Sequence, residues 1–272
     1  MTTSQPQADD RRTGVLEVRS GSPTLLFVHG FACAKEDWKG QMAALSGQFR
    51  CIALDLPGHG GLPLPAEASV SALAADVTAA KDRFTGQVVL VGHSLGAKVV
   101  REAYLQSPQR VAGLVFVDGA LYEKAPHAMQ LSARERINRI GFAEFARQHF
   151  TALFGNAAPD GFQDHVVSRA AALDPGFGRD LYLDAIGYDF ARGVSSLGAI
   201  DVPVLVLQSS HVNADGCRRP MQPYVETALM RCARRHTRQA EVVRIFNSSH
   251  FPMYDQPDVV HARIKAFAIS LP

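Results

Sequence analysis

A chain of 272 residues, 47% hydrophobic and 20% charged, is long enough for one large domain or two small ones and apolar enough for a full core. Lys and Arg number 28 against 26 Asp and Glu, a formal charge of +2, which is too balanced for a nucleic-acid-binding surface. No run approaches the ~18 apolar residues of a membrane span. Cys33, Cys51, Cys217 and Cys232 are scattered without a C-x-x-C pair, which points to reduced thiols in the cytoplasm and away from a metal centre.

Residues 1–13 are polar, turn-rich and without an apolar h-region, so they read as a disordered segment and not as a signal peptide. The stretch VLEVRS from Val15 suits a short edge strand. TLLFVHG from Thr24 and RCIALDLPGHG from Arg50 are continuous apolar runs that stop at turns, as strands covered on both faces of a parallel sheet do. Gln41–Leu45 between them suits a short helix. SVSALAADVTAAKDRF sets Val70, Leu73, Ala74, Val77 and Phe84 on one helical face, with Ser69 or Ser71 as its cap.

QVVLVG is the next strand, followed by Ser94 and helical character through Leu105. AGLVFVDG ends in Asp118, and VPVLVLQSS from Val202 and AEVVRIFNSS from Ala240 are two further strands. Alternating strands and helices predict a mainly parallel sheet flanked by helices. The stretch 121–197 breaks the alternation and reads as an inserted helical unit, leaving 14–120 and 198–272 as the core. Within it Ile137, Ile140, Phe142, Phe145, Ala146, Phe150, Leu153 and Phe154 recur three or four apart. The arginines of RCARRHTRQAEVVR read as a solvated helix face.

The pentapeptide Gly92-His93-Ser94-Leu95-Gly96 gains meaning from this context. A strand–turn–helix forces the serine into a strained backbone that only small neighbours permit, and it lifts the hydroxyl out at the sheet edge. The helix N-terminus behind Ser94 offers free N–H groups to a developing anion. A serine needs a base. His250 follows the last strand and comes after the serine in chain order, whereas His211 follows the preceding strand and suits a surface loop.

HGF at 29–31, DLPGHG at 55–60, GHSLG at 92–96 and SHFPM at 249–253, in that order and spacing, make the sequence resemble the α/β-hydrolase superfamily from Thr24 onward. It departs from the family pattern in Asn247-Ser248-Ser249-His250, where G-x-G-H is frequent, and in Gly61 after GHG. The resemblance implies an α/β-hydrolase sheet with a helical cap and neither cofactor nor metal. It also implies an oxyanion hole made by the backbone N–H groups of Phe31 and Leu95. In the family the acid most often follows the penultimate strand, where this chain has Val212, with Asp215 three residues on. A second arrangement, used by haloalkane dehalogenases and some lactonases, puts the acid at the end of the strand after the nucleophile helix. Here that residue is Asp118, which is preferred over Asp215.

The expected activity is hydrolysis of a carboxylic ester, thioester or lactone through an acyl-enzyme on Ser94, with His250 as base and Asp118 orienting it. C–C bond hydrolysis, a lyase reaction or a slow-turnover signalling receptor are alternatives on the same triad. A small, mainly apolar substrate is expected against Phe31, His93, Phe142 and Phe145, with no nucleic-acid or membrane partner; the sequence leaves the oligomeric state open. Trp38 either underlies the site or fills the core. As a histidine, the base is expected to titrate at roughly 6 to 7.

Overall fold

A computed structural model describes residues 14–18, 21–122, 126–154, 161–213 and 218–272. Segment 1–13, Asp215 and Cys217, on which sequence expectations fall, lie outside the described residues.

The apolar runs pair as anticipated for strands with two buried faces. Strands β1 (Val15–Val18), β2 (Thr24–Val28), β3 (Arg50–Leu54), β4 (Val88–His93), β5 (Val111–Val117), β6 (Val204–Gln208) and β9 (Ala240–Arg244) form one sheet in the order β1-β3-β2-β4-β5-β6-β9. All pairings are parallel except β1 with β3, which is antiparallel at the edge. Two short strands, β7 (Ser210–Val212) and β8 (Arg218–Pro220), make a separate antiparallel pair beyond β6.

The period of two divides the core between the sheet's faces. Leu25, Phe27, Val89, Val91, Val115 and Val117 face one way, onto α1 (Lys39–Leu45) and, at the chain's end, α10 (Pro257–Ser270). Leu26, Val28, Val88, Leu90, Leu114 and Phe116 face the other, onto α2 (Val70–Lys81) and α3 (Leu95–Gln106), joined there by α8 (Ala228–His236). Ser69 caps α2 by accepting from the Ala72 N–H at 3.2 Å. That helix stops at Lys81, so Phe84 lies in the following turn, half-buried, and not on the helical face expected for it.

Between β5 and β6 the chain forms α4 (Pro126–Ile140), α5 (Phe142–Thr151), α6 (Phe162–Ala171) and α7 (Pro175–Gly198). Gly141, at φ +79°, separates the first two of these. Asp189 of α7 ties this unit to α3: its carboxylate accepts from Lys98 Nζ, from Arg101 Nη2 at 3.1 Å and from the Tyr122 N–H at 3.1 Å. Among the described residues no helix is long and apolar enough to cross a membrane.

The chain passes from β2 to β3 on one side and then returns to β4 on the other. Such a reversal of strand order opens a crevice at the carboxyl ends of the strands. The turn His29-Gly30 after β2 and Ser94 after β4 both stand there.

Candidate active site

Ser94 sits between the end of β4 and the first turn of α3 with φ +53° and ψ −114°. Two glycines make this turn possible by close approach. A Cβ on Gly92 would lie 2.2 Å from the Gly96 carbonyl oxygen, and one on Gly96 would lie 2.4 Å from that of Val28. Both distances are far inside van der Waals contact, so strand, turn and helix can pack this tightly only without side chains there.

His250 comes from the loop after β9. Its Nε2 lies 2.9 Å from Ser94 Oγ and its Nδ1 2.6 Å from Asp118 Oδ2. With Nδ1–H donating to the carboxylate, the Nε2 lone pair faces the serine hydroxyl. Asn247, which opens the loop, takes φ +54°, a conformation asparagine tolerates better than most side chains. Asp255, in α9 (Pro252–Asp255), accepts from the Ser249 N–H and hydroxyl, both at 2.6 Å. His93 Nε2 lies 2.8 Å from the His250 carbonyl oxygen and donates to it. Strand β4 thus holds the His250 loop directly.

Asp118 follows β5 with φ +42° and is fully buried. Oδ1 accepts from the N–H groups of Ser209 and Ser210, both at 2.8 Å, and from Gln208 Nε2 at 2.9 Å. Oδ2 accepts from the Ser210 hydroxyl and from Arg218 Nη1 at 3.3 Å, besides His250. Burial alone would raise this carboxyl's pKa, but the hydrogen bond and charge of His250, followed by Arg218 and Ser210, pull it down to about 2. His250 falls below the ordinary histidine range expected for it. Desolvation comes first and the Arg218 charge second, and together they outweigh Asp118 and hold the imidazole down to about 4.

Ser94 and His250 line a cavity with about 690 Å³ of empty space, part of it open to solvent, while Asp118 lies buried behind the imidazole. Phe31, His93 and Leu95 line it, together with Lys98, Tyr122, His149, Phe150, Tyr182 and Arg218. Phe142 and Phe145, expected at the pocket, do not reach it. Both are buried on α5, packed against Phe31 and Tyr182 behind the wall. Helical spacing marks a buried face but does not tell a core from a cavity. Trp38 is core, with its ring 5.1 Å from that of Phe27. His59 is buried beside His29, its Nδ1 3.2 Å from the Pro57 carbonyl oxygen. Among the described residues no acceptor takes the N–H of Phe31 or Leu95.

Arg218, Tyr122 and His149 were not signalled by the sequence, for no motif surrounds them. Gln208 and Ser210, which solvate Asp118, lay in the strand-end run VLQSS, whose polar end is the only trace of that role.

The Alpha/beta hydrolase family model matches residues 25–263. A pimeloyl-[acyl-carrier protein] methyl ester esterase of Nitrosomonas europaea is 34% identical over 102 residues, 38% of this chain and 39% of that relative. The biotin biosynthesis bifunctional protein BioHC of Cellvibrio japonicus is 24% identical over 253 residues, 90% of this chain and 47% of that relative. The matched stretches thus span less than half the length of either curated relative. A thermophilic esterase from Thermogutta terrifontis has a solved structure that superimposes with a TM-score of 0.73 at 25% identity, covering 93% of this chain and 91% of that one.

Proposed function

The chain belongs to the α/β-hydrolase family, and on that premise we propose that it is a serine hydrolase that cleaves an ester-type bond through an acyl-enzyme on Ser94. The observation that carries the reading is the unbroken line of hydrogen bonds from Ser94 Oγ through His250 to Asp118.

Ser94 Oγ attacks the acyl carbon as His250 Nε2 takes its proton. The oxyanion that forms is met by the N–H groups of Phe31 and Leu95, whose fixed dipoles are each worth on the order of 3 kcal/mol. His250 then hands the proton to the departing oxygen, and a water repeats the sequence to release the acid. Asp118 stays ionised throughout and stabilises the imidazolium. Helices α4–α7 act as the cap that walls the cavity. The names of the esterase relatives support an ester as the substrate class, and a thioester or lactone would react by the same acyl transfer. The buried thiols of Cys33 and Cys51 fit a reducing compartment such as the cytoplasm.

The test is a fluorophosphonate probe together with a panel of p-nitrophenyl esters. Labelling of the wild-type protein, multiple turnover of at least one ester, and loss of both in Ser94→Ala are expected. A folded protein that neither labels nor turns over any ester would show the reading to be wrong.

A further inference from the structure

We propose that the substrate carries a carboxylate, and that Arg218, with Tyr122, Tyr182 and His149, forms the subsite that receives it in the cavity above Ser94. The proposal rests on the serine hydrolase reading for the reacting end of the substrate.

The charge of the wall is one-sided. The described residues that line the cavity include two cations, Lys98 and Arg218, and no aspartate or glutamate. Lys98 is already committed: its ammonium donates to Asp189 and to the Ala120 carbonyl oxygen at 3.2 Å. Arg218 is not. Nη1 donates to the Ser210 hydroxyl at 2.7 Å and reaches Asp118 at 3.3 Å, while its Nε is buried without a partner.

That contact is one of several that serve Asp118. It is the longest of the carboxylate's hydrogen bonds, and five other donors already serve the two oxygens. The charge of Arg218 is felt by Tyr122, Tyr182 and His149 alike. Among the described residues the two phenol hydroxyls and the His149 ring make no hydrogen bond. A guanidinium whose buried Nε has no partner is costly in that state. It matches a planar carboxylate, which can take two N–H donors at once. An anion there would also offset the field by which Arg218 weakens His250 as a base.

The experiment compares matched esters on the full chain. On the acyl side, p-nitrophenyl hydrogen adipate is set against p-nitrophenyl hexanoate; on the leaving side, the hexanoate of 4-hydroxybenzoate is set against that of 4-cresol. One anionic ester of the two pairs is expected to have the higher kcat/KM. Arg218→Gln and the double variant Tyr122→Phe/Tyr182→Phe should each cut that preference by roughly tenfold, chiefly through KM. Arg218→Lys should restore part of it. Adipate should bind calorimetrically to Ser94→Ala and fail to bind once Arg218→Gln is added, a readout that needs no turnover. No preference for either anionic ester would overturn the proposal. So would equal losses on charged and neutral esters in Arg218→Gln, which would reduce Arg218 to a prop for Asp118. Fluorophosphonate labelling separates the two readings: labelled protein without charge preference sinks the subsite alone, and unlabelled folded protein sinks the hydrolase reading.

Discussion

Ser94 holds φ +53°, and alanine occupies that conformation no worse than serine, so Ser94→Ala should keep the fold while removing the proposed nucleophile. Hydrolysis is expected to fall by roughly 10⁴-fold or more, with His250→Ala equally damaging and the double variant little worse, because the pair acts as a unit. Thermal denaturation of each variant beside its rate would check that the loss is chemical. Asp118→Asn should cost roughly 10²–10⁴ in kcat, against less than about tenfold for Asp215→Asn; the reverse ranking would move the acid. The pH profile of a neutral ester discriminates further. The base must be neutral, so kcat/KM rises with pH through the pKa of His250, which burial and Arg218 hold down to about 4. The rate should therefore be nearly flat from pH 8 to 5.5, where a histidine at its ordinary value of about 6.5 would have lost about nine-tenths. A profile that halves near pH 6.5 would contradict the depressed pKa. The sequence anticipated the ordinary value because neither burial nor the nearness of Arg218 is visible along the chain.

At the scale of elements, the elbow and the α3–α7 tie each rest on a few atoms. A methyl group on Gly92 would strike the Gly96 backbone at 2.2 Å, so Gly92→Ala should misplace Ser94 and cost both stability and labelling by the fluorophosphonate. Asp189→Ala would leave Lys98 and Arg101 buried without their counter-ion. Losing one partner of a buried pair costs roughly 3–5 kcal/mol, to be read as a lower denaturation midpoint; an unchanged midpoint would show that water or a rearranged acid replaces Asp189. The strands were legible because parallel strands buried on both faces leave uninterrupted apolar runs such as Leu25–Val28 and Val88–Val91. The pair β7–β8 was not, since three-residue strands carrying Arg218 and Arg219 show no apolar alternation. Phe142 and Phe145 fell on the right helical face but behind the cavity wall. Ser94, His250 and Asp118, which the structure brings into one line of hydrogen bonds, stood out in the sequence because each ends or follows a core strand. The groups around them come from helices and loops whose meeting is purely tertiary.

For the molecule as a whole, the same burial that builds the site sets an acid limit on the fold. His29, His149 and His250 are pushed down to about 4 and His59 and His93 to about 3, in every case chiefly by desolvation. The unfolded chain takes up protons on these rings below about 6.5, whereas the folded one refuses them until pH 3 to 4. The unfolded state therefore binds more protons throughout that window, and stability falls as pH falls. Each unit of refused protonation is worth about 1.4 kcal/mol, and five rings acting together can exhaust a net stability of roughly 5–15 kcal/mol within about two pH units. Asp37 and Asp118, whose folded pKa values are lowered, add their loss at still lower pH. We expect Tm to hold near neutrality, to drop steeply from about pH 6 and to vanish before His250 itself is half protonated. Activity at pH 5 should then decay with time while its initial rate stays high, since unfolding and not titration of the base removes it. Calorimetric scans from pH 7 to 4, with proton uptake on unfolding measured at pH 5, test this. A Tm that stays level over that range would mean the rings are hydrated or charged in the folded protein.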